Sequence, residues 1–258
     1  MKQRIITAAI MLAVCIPLLV LGGIPFIFLV SILSLIGLYE FLRLKKFPLL
    51  MRIISYVFMI LIILLNTNDF SIDYRIIFSI MGLFLIAIIF YKKDKYNIND
   101  ALFLIGSVLF LGITFKSFIV VRNMGLDYIL FLLLITIITD TFAYITGLLI
   151  GKHKMCPNVS PNKTWEGFVG GLLIGTFVST AFYYTALNTN SNLLVLTLII
   201  AALSVIGQIG DLVFSAIKRN FDIKDYSNIF PGHGGVLDRV DSLLFVLLAF
   251  SLISAFLL

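Results

Sequence analysis

Charge is scarce in this sequence. Only 12% of its 258 residues are Asp, Glu, Lys or Arg, about half the share of an ordinary soluble domain, and the mean hydropathy is +1.13. That poverty excludes a soluble globular protein. Histidine and cysteine are scarcer still, with two of each. Cys15 falls in an apolar run and Cys156 in a loop, so the spacing offers neither a zinc-type ligand set nor a disulfide. Also missing are the strand-length segments of alternating polarity, ~10 residues each, that a membrane barrel needs.

What is there is a series of apolar runs that reach the ~20 residues needed to cross hydrocarbon as a helix. The expected fold is an all-α polytopic integral membrane protein, a single domain of nine spans at 5–22, 24–42, 52–66, 73–91, 101–121, 128–150, 166–187, 193–217 and 237–257. The third is short, and the eighth is long enough to project from the bilayer. Lys2 and Arg4 before the run Ile5–Leu21 resemble a secretory signal. The run is too long and no polar Ala-x-Ala region follows it, so it reads as a retained first span.

Loop cations set the orientation. Arg43, Lys45, Lys46 and Arg52 follow span two, Lys92, Lys93 and Lys95 follow span four, Lys152, Lys154 and Lys163 follow span six, and Lys218, Arg219 and Lys224 follow span eight. These loops share one side, which the positive-inside rule makes cytoplasmic, together with the N-terminus of a multi-pass cell-membrane protein. Contact with anionic headgroups accounts for the net charge of +6, and nucleic acid is not needed to explain it.

Against this background the polar residues of the C-terminal half stand out. Ser204, Gln208, Asp211, Ser215 and Lys218 recur at helical spacing, which places them on one strip of span eight. Interhelical hydrogen bonding explains Ser and Gln there, but an intramembrane Asp points to function. At the start of span nine, Asp238, Asp241 and Ser242 share a face beside Arg239. Carboxylates brought together from two antiparallel helices would repel, and a divalent cation or salt bridges to Lys218, Arg219 or Arg239 would relieve that. An all-oxygen set suits Mg²⁺. The linking Gly232-His233-Gly234-Gly235 can turn backbone N–H groups towards an oxyanion.

A second polar cluster, Gly151–Gly167, carries the only tryptophan, Trp165. Ser160, Thr164 and Glu166 fit a helix cap with Pro161 in the first turn, and Lys163 beside that terminus would make an anion site. Gly167, Gly171 and Gly175 form a small-xxx-small face suited to close helix packing. In span six, Thr136, Asp140, Tyr144 and Gly147 follow helical spacing, and Asp140 can share a polar cavity with Asp211 or bond a neighbouring helix. Glu40 is read as an i,i+3 partner of Arg43 and Lys116 as a snorkelling residue, neither with a site role.

These residues carry a resemblance. Ser215, Lys218-Arg219, Lys224-Asp225, Pro231, His233-Gly234-Gly235, Asp238-Arg239 and Asp241 resemble the signature of the phosphatidate cytidylyltransferases, the CDP-diacylglycerol synthases. Asp140 with Tyr144 and the segment Ser160–Gly167 resemble two further motifs of that family. The likeness covers about 136–242, with 1–100 read as generic membrane helices and 128–258 as the catalytic part. Asn162 departs from a frequent Lys and Ser227 from a frequent Gly, and neither departure touches the acidic residues.

The resemblance implies transfer of the cytidylyl group of CTP to phosphatidate with Mg²⁺ required, a second cation compatible with two-cation phosphoryl chemistry, and a homodimer. On this reading Asp211 and Asp238 are expected to hold the metal, and Lys218, Arg219, Asp238, Arg239 and Asp241 to be catalytic residues. Asp140, Ser160, Lys163, Ser215, Lys224, Asp225, His233, Gly234 and Gly235 are implied to bind substrate. Two rival classes compete with this reading. A transporter would place Asp140 and Asp211 similarly but predicts internal repeats and midplane sites, and no repeat is found. Another lipid-linked CTP enzyme, transferase or kinase, would share the topology and the metal.

Overall fold

Glycine and proline mark where the apolar runs break. The computed structural model describes residues 2–187, 192–232 and 234–257. Helices α1 (Lys2–Leu21) and α2 (Gly23–Leu42) part at Gly22 and Gly23, whose φ angles of 66° and 53° favour glycine. Then follow α3 (Leu49–Leu64), α4 (Tyr74–Phe90), α5 (Ile98–Met124) and α6 (Leu126–Ile150). A two-stranded ribbon, β1 (Lys154–Cys156) and β2 (Ser160–Thr164), leads into α7 (Trp165–Phe182) with a π-helical turn at Tyr183–Leu187, then α8 (Leu193–Asn220) and α9 (Leu237–Leu257).

The expectation of a helical membrane protein holds. Among the described residues there are nine α-helices, each close to one of the nine apolar runs. Five of them, α2, α5, α6, α7 with its π turn, and α8, are long and apolar enough to cross a membrane. At 28 residues α8 is the longest, about 42 Å at the usual rise, so it exceeds a hydrocarbon core of ~30 Å. At 16 residues α3 is the shortest.

The all-α expectation needs one correction, the ribbon. Lys154 pairs with Thr164 and Cys156 with Ser160, which holds Ser160 and Pro161 extended on β2 and not in a first helical turn. The cap is Thr164 alone, whose hydroxyl accepts the Gly167 N–H at 3.1 Å. Both cysteines are free.

The chain divides into two compact units, Met1–Met124 with Tyr226–Leu237, and Gly125–Asp225 with Asp238–Leu258. In the first, α5 packs against α2, α3 and α4. Gly112 makes room for Ile62, since a Cβ there would lie 2.9 Å from the Ile62 Cδ1. Leu38, Met59, Leu104 and Leu111 are fully buried, and Phe41 stacks on Tyr226 with ring centroids 5.6 Å apart.

Two sequence readings fail in this unit. Glu40 does not pair with Arg43, whose guanidinium lies over the Tyr39 ring. It is fully buried and accepts the Ser227 hydroxyl at 2.5 Å and the Val236 and Leu237 N–H groups at 2.9 Å each. The unsatisfied N–H groups of a helix start are better partners for a carboxylate than a cation in water. Lys116 does not snorkel either. It is 2% exposed, and its ammonium donates to the Ser71 carbonyl.

In the second unit α6 and α7 meet through the glycine stripe. A Cβ on Gly167 would lie 2.5 Å from the Ala143 carbonyl, one on Gly171 2.6 Å from the Thr139 carbonyl, and Gly175 faces the Thr139 hydroxyl. The stripe is a packing face. Likewise Gly210 and Gly207 admit Phe245 and Val246 of α9 against α8.

Candidate active site

The polar strip of α8 is fully partnered within the second unit. From the inner end outward, the Ser204 hydroxyl lies 2.9 Å from that of Thr139 on α6, and the Gln208 amide donates to the Phe168 carbonyl of α7 at 3.3 Å. Asp211 accepts the Ser215 hydroxyl at 3.3 Å and the Lys163 ammonium at 2.7 Å. Lys218 donates to Asp238 at 2.6 Å. One helical face thus reaches α6, α7, β2 and α9.

The acids converge with it. Asp140 on α6 accepts the Ser242 hydroxyl of α9 at 3.0 Å, and Asp140 and Asp241 each lie within electrostatic range of Asp211. Thr136, Thr139, Asp140, Ser204, Gln208 and Ser242 line one crevice between α6, α8 and α9. The two ion pairs differ in setting. Asp238 and Lys218 have side chains only 3% and 11% exposed, whereas Asp211 and Lys163 are 29% and 27% exposed.

The ribbon delivers Lys163 to this cluster. Its ammonium also donates to the Gln208 carbonyl at 3.2 Å, so the anion site imagined at the start of α7 has its cation turned to α8 instead. Glu166 takes up the Lys152 and His153 N–H groups and lies 2.5 Å from the His153 ring nitrogen, which closes the ribbon's base. Arg219 donates to the Val159 carbonyl at 3.3 Å and to the Ile223 carbonyl at 3.2 Å, which ties the ribbon's turn to the end of α8. Sequence reading gave Arg219 a catalytic role and missed this tether, because a backbone acceptor leaves no mark in a sequence.

Other candidates lie elsewhere. Ser160 sits on β2, Lys224 and Asp225 are exposed in the segment after α8, and Arg239 is exposed in the first turn of α9. Gly234 and Gly235 are buried in the segment held by Glu40, and Gly232 and Gly234 adopt φ of 78° and 83°. The N–H groups beyond them, at Val236 and Leu237, face an anion, but it is the protein's own Glu40. His233 lies outside the described residues.

Asp140, Asp211 and Asp241 lie within electrostatic range of one another, while Asp238 is placed against Lys218; the chemistry of these donors suits a divalent cation. Asp140, Asp211, Asp238 and Asp241 offer only oxygen, the ligand type of Mg²⁺. Among the described residues no three His, Cys, Asp or Glu side chains gather closely enough for a complete cage. Mg²⁺ does not require one, since it usually takes one or two carboxylates and completes its shell with water and substrate phosphate.

Comparison with known proteins gives a consistent result. The model of the cytidylyltransferase family matches residues 2–257. A phosphatidate cytidylyltransferase of Staphylococcus haemolyticus is 40% identical over 251 residues, covering 96% of both chains. One of Staphylococcus aureus is 41% identical over 251 residues, again 96% of both. A third, of Staphylococcus epidermidis, is 40% identical over 254 residues.

Proposed function

Because the chain belongs to the cytidylyltransferase family, we propose that it transfers the cytidylyl group of CTP to phosphatidate, releasing pyrophosphate and leaving CDP-diacylglycerol in the membrane. The observation that carries this reading is likeness along nearly the whole chain to relatives named for that reaction. A helical membrane protein with acids and cations gathered around one helix end is the arrangement such a reaction asks for.

A phosphatidate oxygen attacks the α-phosphorus of CTP, the new P–O bond forms, and the bond to the β-phosphate oxygen breaks. The phosphate monoester is largely ionised at neutral pH, its second pKa being about 6 as for phosphoserine, so little general-base help is needed. Catalysis reduces to positioning and charge neutralisation. Lys163, Lys218, Arg219, Lys224 and Arg239 bind phosphate oxygens, and Ser160 and Ser215 donate hydrogen bonds to substrate. Asp140 and Asp241 orient the polar groups beside them. Asp211 and Asp238 hold Mg²⁺, which when bound supplies charge neutralisation at the triphosphate.

The salt bridges fit this assignment. Asp211 and Asp238 each hold a lysine ammonium, so the same acids have an affinity for cations and the same lysines stand ready for phosphate. All nine helices cross the bilayer in this reading, with the N-terminus and the ends of α6 and α8 cytoplasmic, where CTP is found, and the protein works as a homodimer.

The test is transfer of label from cytidine-labelled CTP into lipid by purified protein in phosphatidate-containing micelles. Label in CDP-diacylglycerol is the expected result. Phosphate transfer without cytidine would indicate a kinase and overturn the reading.

A further inference from the structure

Glu40 belongs to the N-terminal helices, far in sequence from every motif of the C-terminal half, yet its carboxylate is spent entirely on the segment that introduces α9. It is fully buried in α2 and takes three donors, the Ser227 hydroxyl at 2.5 Å and the Val236 and Leu237 N–H groups at 2.9 Å. Leu237 is the first residue of α9, and Asp238 follows it directly. A buried carboxylate on the free N–H groups of a helix start is held both by charge-assisted hydrogen bonds and by the helix dipole.

The approach is close enough to dictate a residue. A Cβ on Gly235 would lie 2.6 Å from the Glu40 Cδ and 2.8 Å from its Oε2, so glycine is required there for contact and not for conformation. The same segment is closed on itself by the Phe230 N–H donating to the Gly234 carbonyl at 2.9 Å. The Ser227 hydroxyl adds a third donor to the clasp.

From this geometry we infer that Glu40 is a positioning residue for cytidylyl transfer: it fixes the start of α9, and through it the placement of Asp238 and Asp241 and the effectiveness of Mg²⁺. The inference rests on the functional reading above. Mere stabilisation would lower the amount of folded protein and leave each folded molecule as active as before. Positioning lowers the turnover of folded molecules and raises the Mg²⁺ concentration needed for half activation.

The experiment compares wild type, Glu40→Gln, Gly235→Ala and the double variant Glu40→Asp/Gly235→Ala, each with turnover normalised to folded protein and a Mg²⁺ activation curve. Glu40→Gln keeps the shape but sets an amide NH₂ against a backbone donor. It is expected to lower kcat at least tenfold, within the ~10²-fold that a 1 Å misplacement can cost, and to raise the half-activating Mg²⁺ concentration. Gly235→Ala should do the same by pushing the carboxylate away. In that background the shorter side chain of Glu40→Asp makes room for the methyl, so the double variant is expected to be more active than Gly235→Ala.

If Glu40→Gln does not fold, Ser227→Gly removes one donor and should still shift the Mg²⁺ curve. Unchanged kcat and Mg²⁺ curve per folded molecule, in Glu40→Gln or in Ser227→Gly, overturns the inference and leaves the functional reading intact. A wild type that transfers no cytidylyl group overturns both.

Discussion

Charge is used differently in the two units of this protein. In the first, Glu40 accepts two backbone N–H groups, Lys116 donates to the Ser71 carbonyl, and Arg122 donates to the Leu19 and Val20 carbonyls at 2.6 and 2.8 Å. Backbone partners cannot leave. In the second, Lys163 meets Asp211 as well as the Gln208 carbonyl, Lys218 meets Asp238, and Ser242 meets Asp140. Side chains can change rotamer and exchange one partner for another. The lesson is that charge which grips the main chain is fixed in place, whereas charge paired with other side chains keeps partners that can be exchanged.

Removing the cation should give the largest effect. Chelation with EDTA is expected to abolish cytidylyl transfer and added Mg²⁺ to restore it, while circular dichroism stays unchanged because the helices owe nothing to metal. Full activity after exhaustive chelation would remove Mg²⁺ from the second unit's site.

Next comes Asp238→Asn, expected to lower turnover by ~10²-fold or more through lost charge stabilisation. It also removes the carboxylate that the buried Lys218 ammonium meets at 2.6 Å, a loss on the order of 3 kcal/mol, seen as a lower midpoint of thermal unfolding. Wild-type turnover in this variant would show Asp238 to be a purely structural staple like Lys116.

Lys163→Met should be milder. The pair with Asp211 is about a quarter exposed on each side, so stability should change by less than ~1 kcal/mol, while kcat/KM for CTP falls about tenfold through one lost phosphate contact. An unchanged kcat/KM would assign Lys163 to structure alone.

The smallest effect on activity belongs to Lys116→Met. This variant should cost about 1 kcal/mol of stability, one buried hydrogen bond, with turnover per folded molecule unchanged. A loss of turnover there would blur the contrast between the two units.

The sequence disclosed these regions unevenly. The helices were legible because hydropathy over ~20 residues is a local property, and the α8 strip was legible because helical spacing fixes a face. Lys218 and Asp238 stood among candidate salt bridges, but which cation would take which acid depends on how the segment after α8 returns. Glu40 was misread for a physical reason. Its sequence neighbour Arg43 made a plausible partner, while its actual donors lie 187 to 197 positions away. The ribbon escaped notice because Ser160, Pro161 and Thr164 satisfy a helix-start pattern as readily as a strand, and only the pairing with Lys154–Cys156 decides between them.

The most direct measurement is the Mg²⁺ activation curve of cytidylyl transfer to phosphatidate, taken on wild type and on Asp211→Asn in the same micelles. The account predicts saturable activation in wild type, and in the variant either no Mg²⁺-dependent transfer or a half-activating concentration at least about tenfold higher, one carboxylate ligand being lost. Superimposable curves would contradict it, because Asp211 would then have no part in holding the cation.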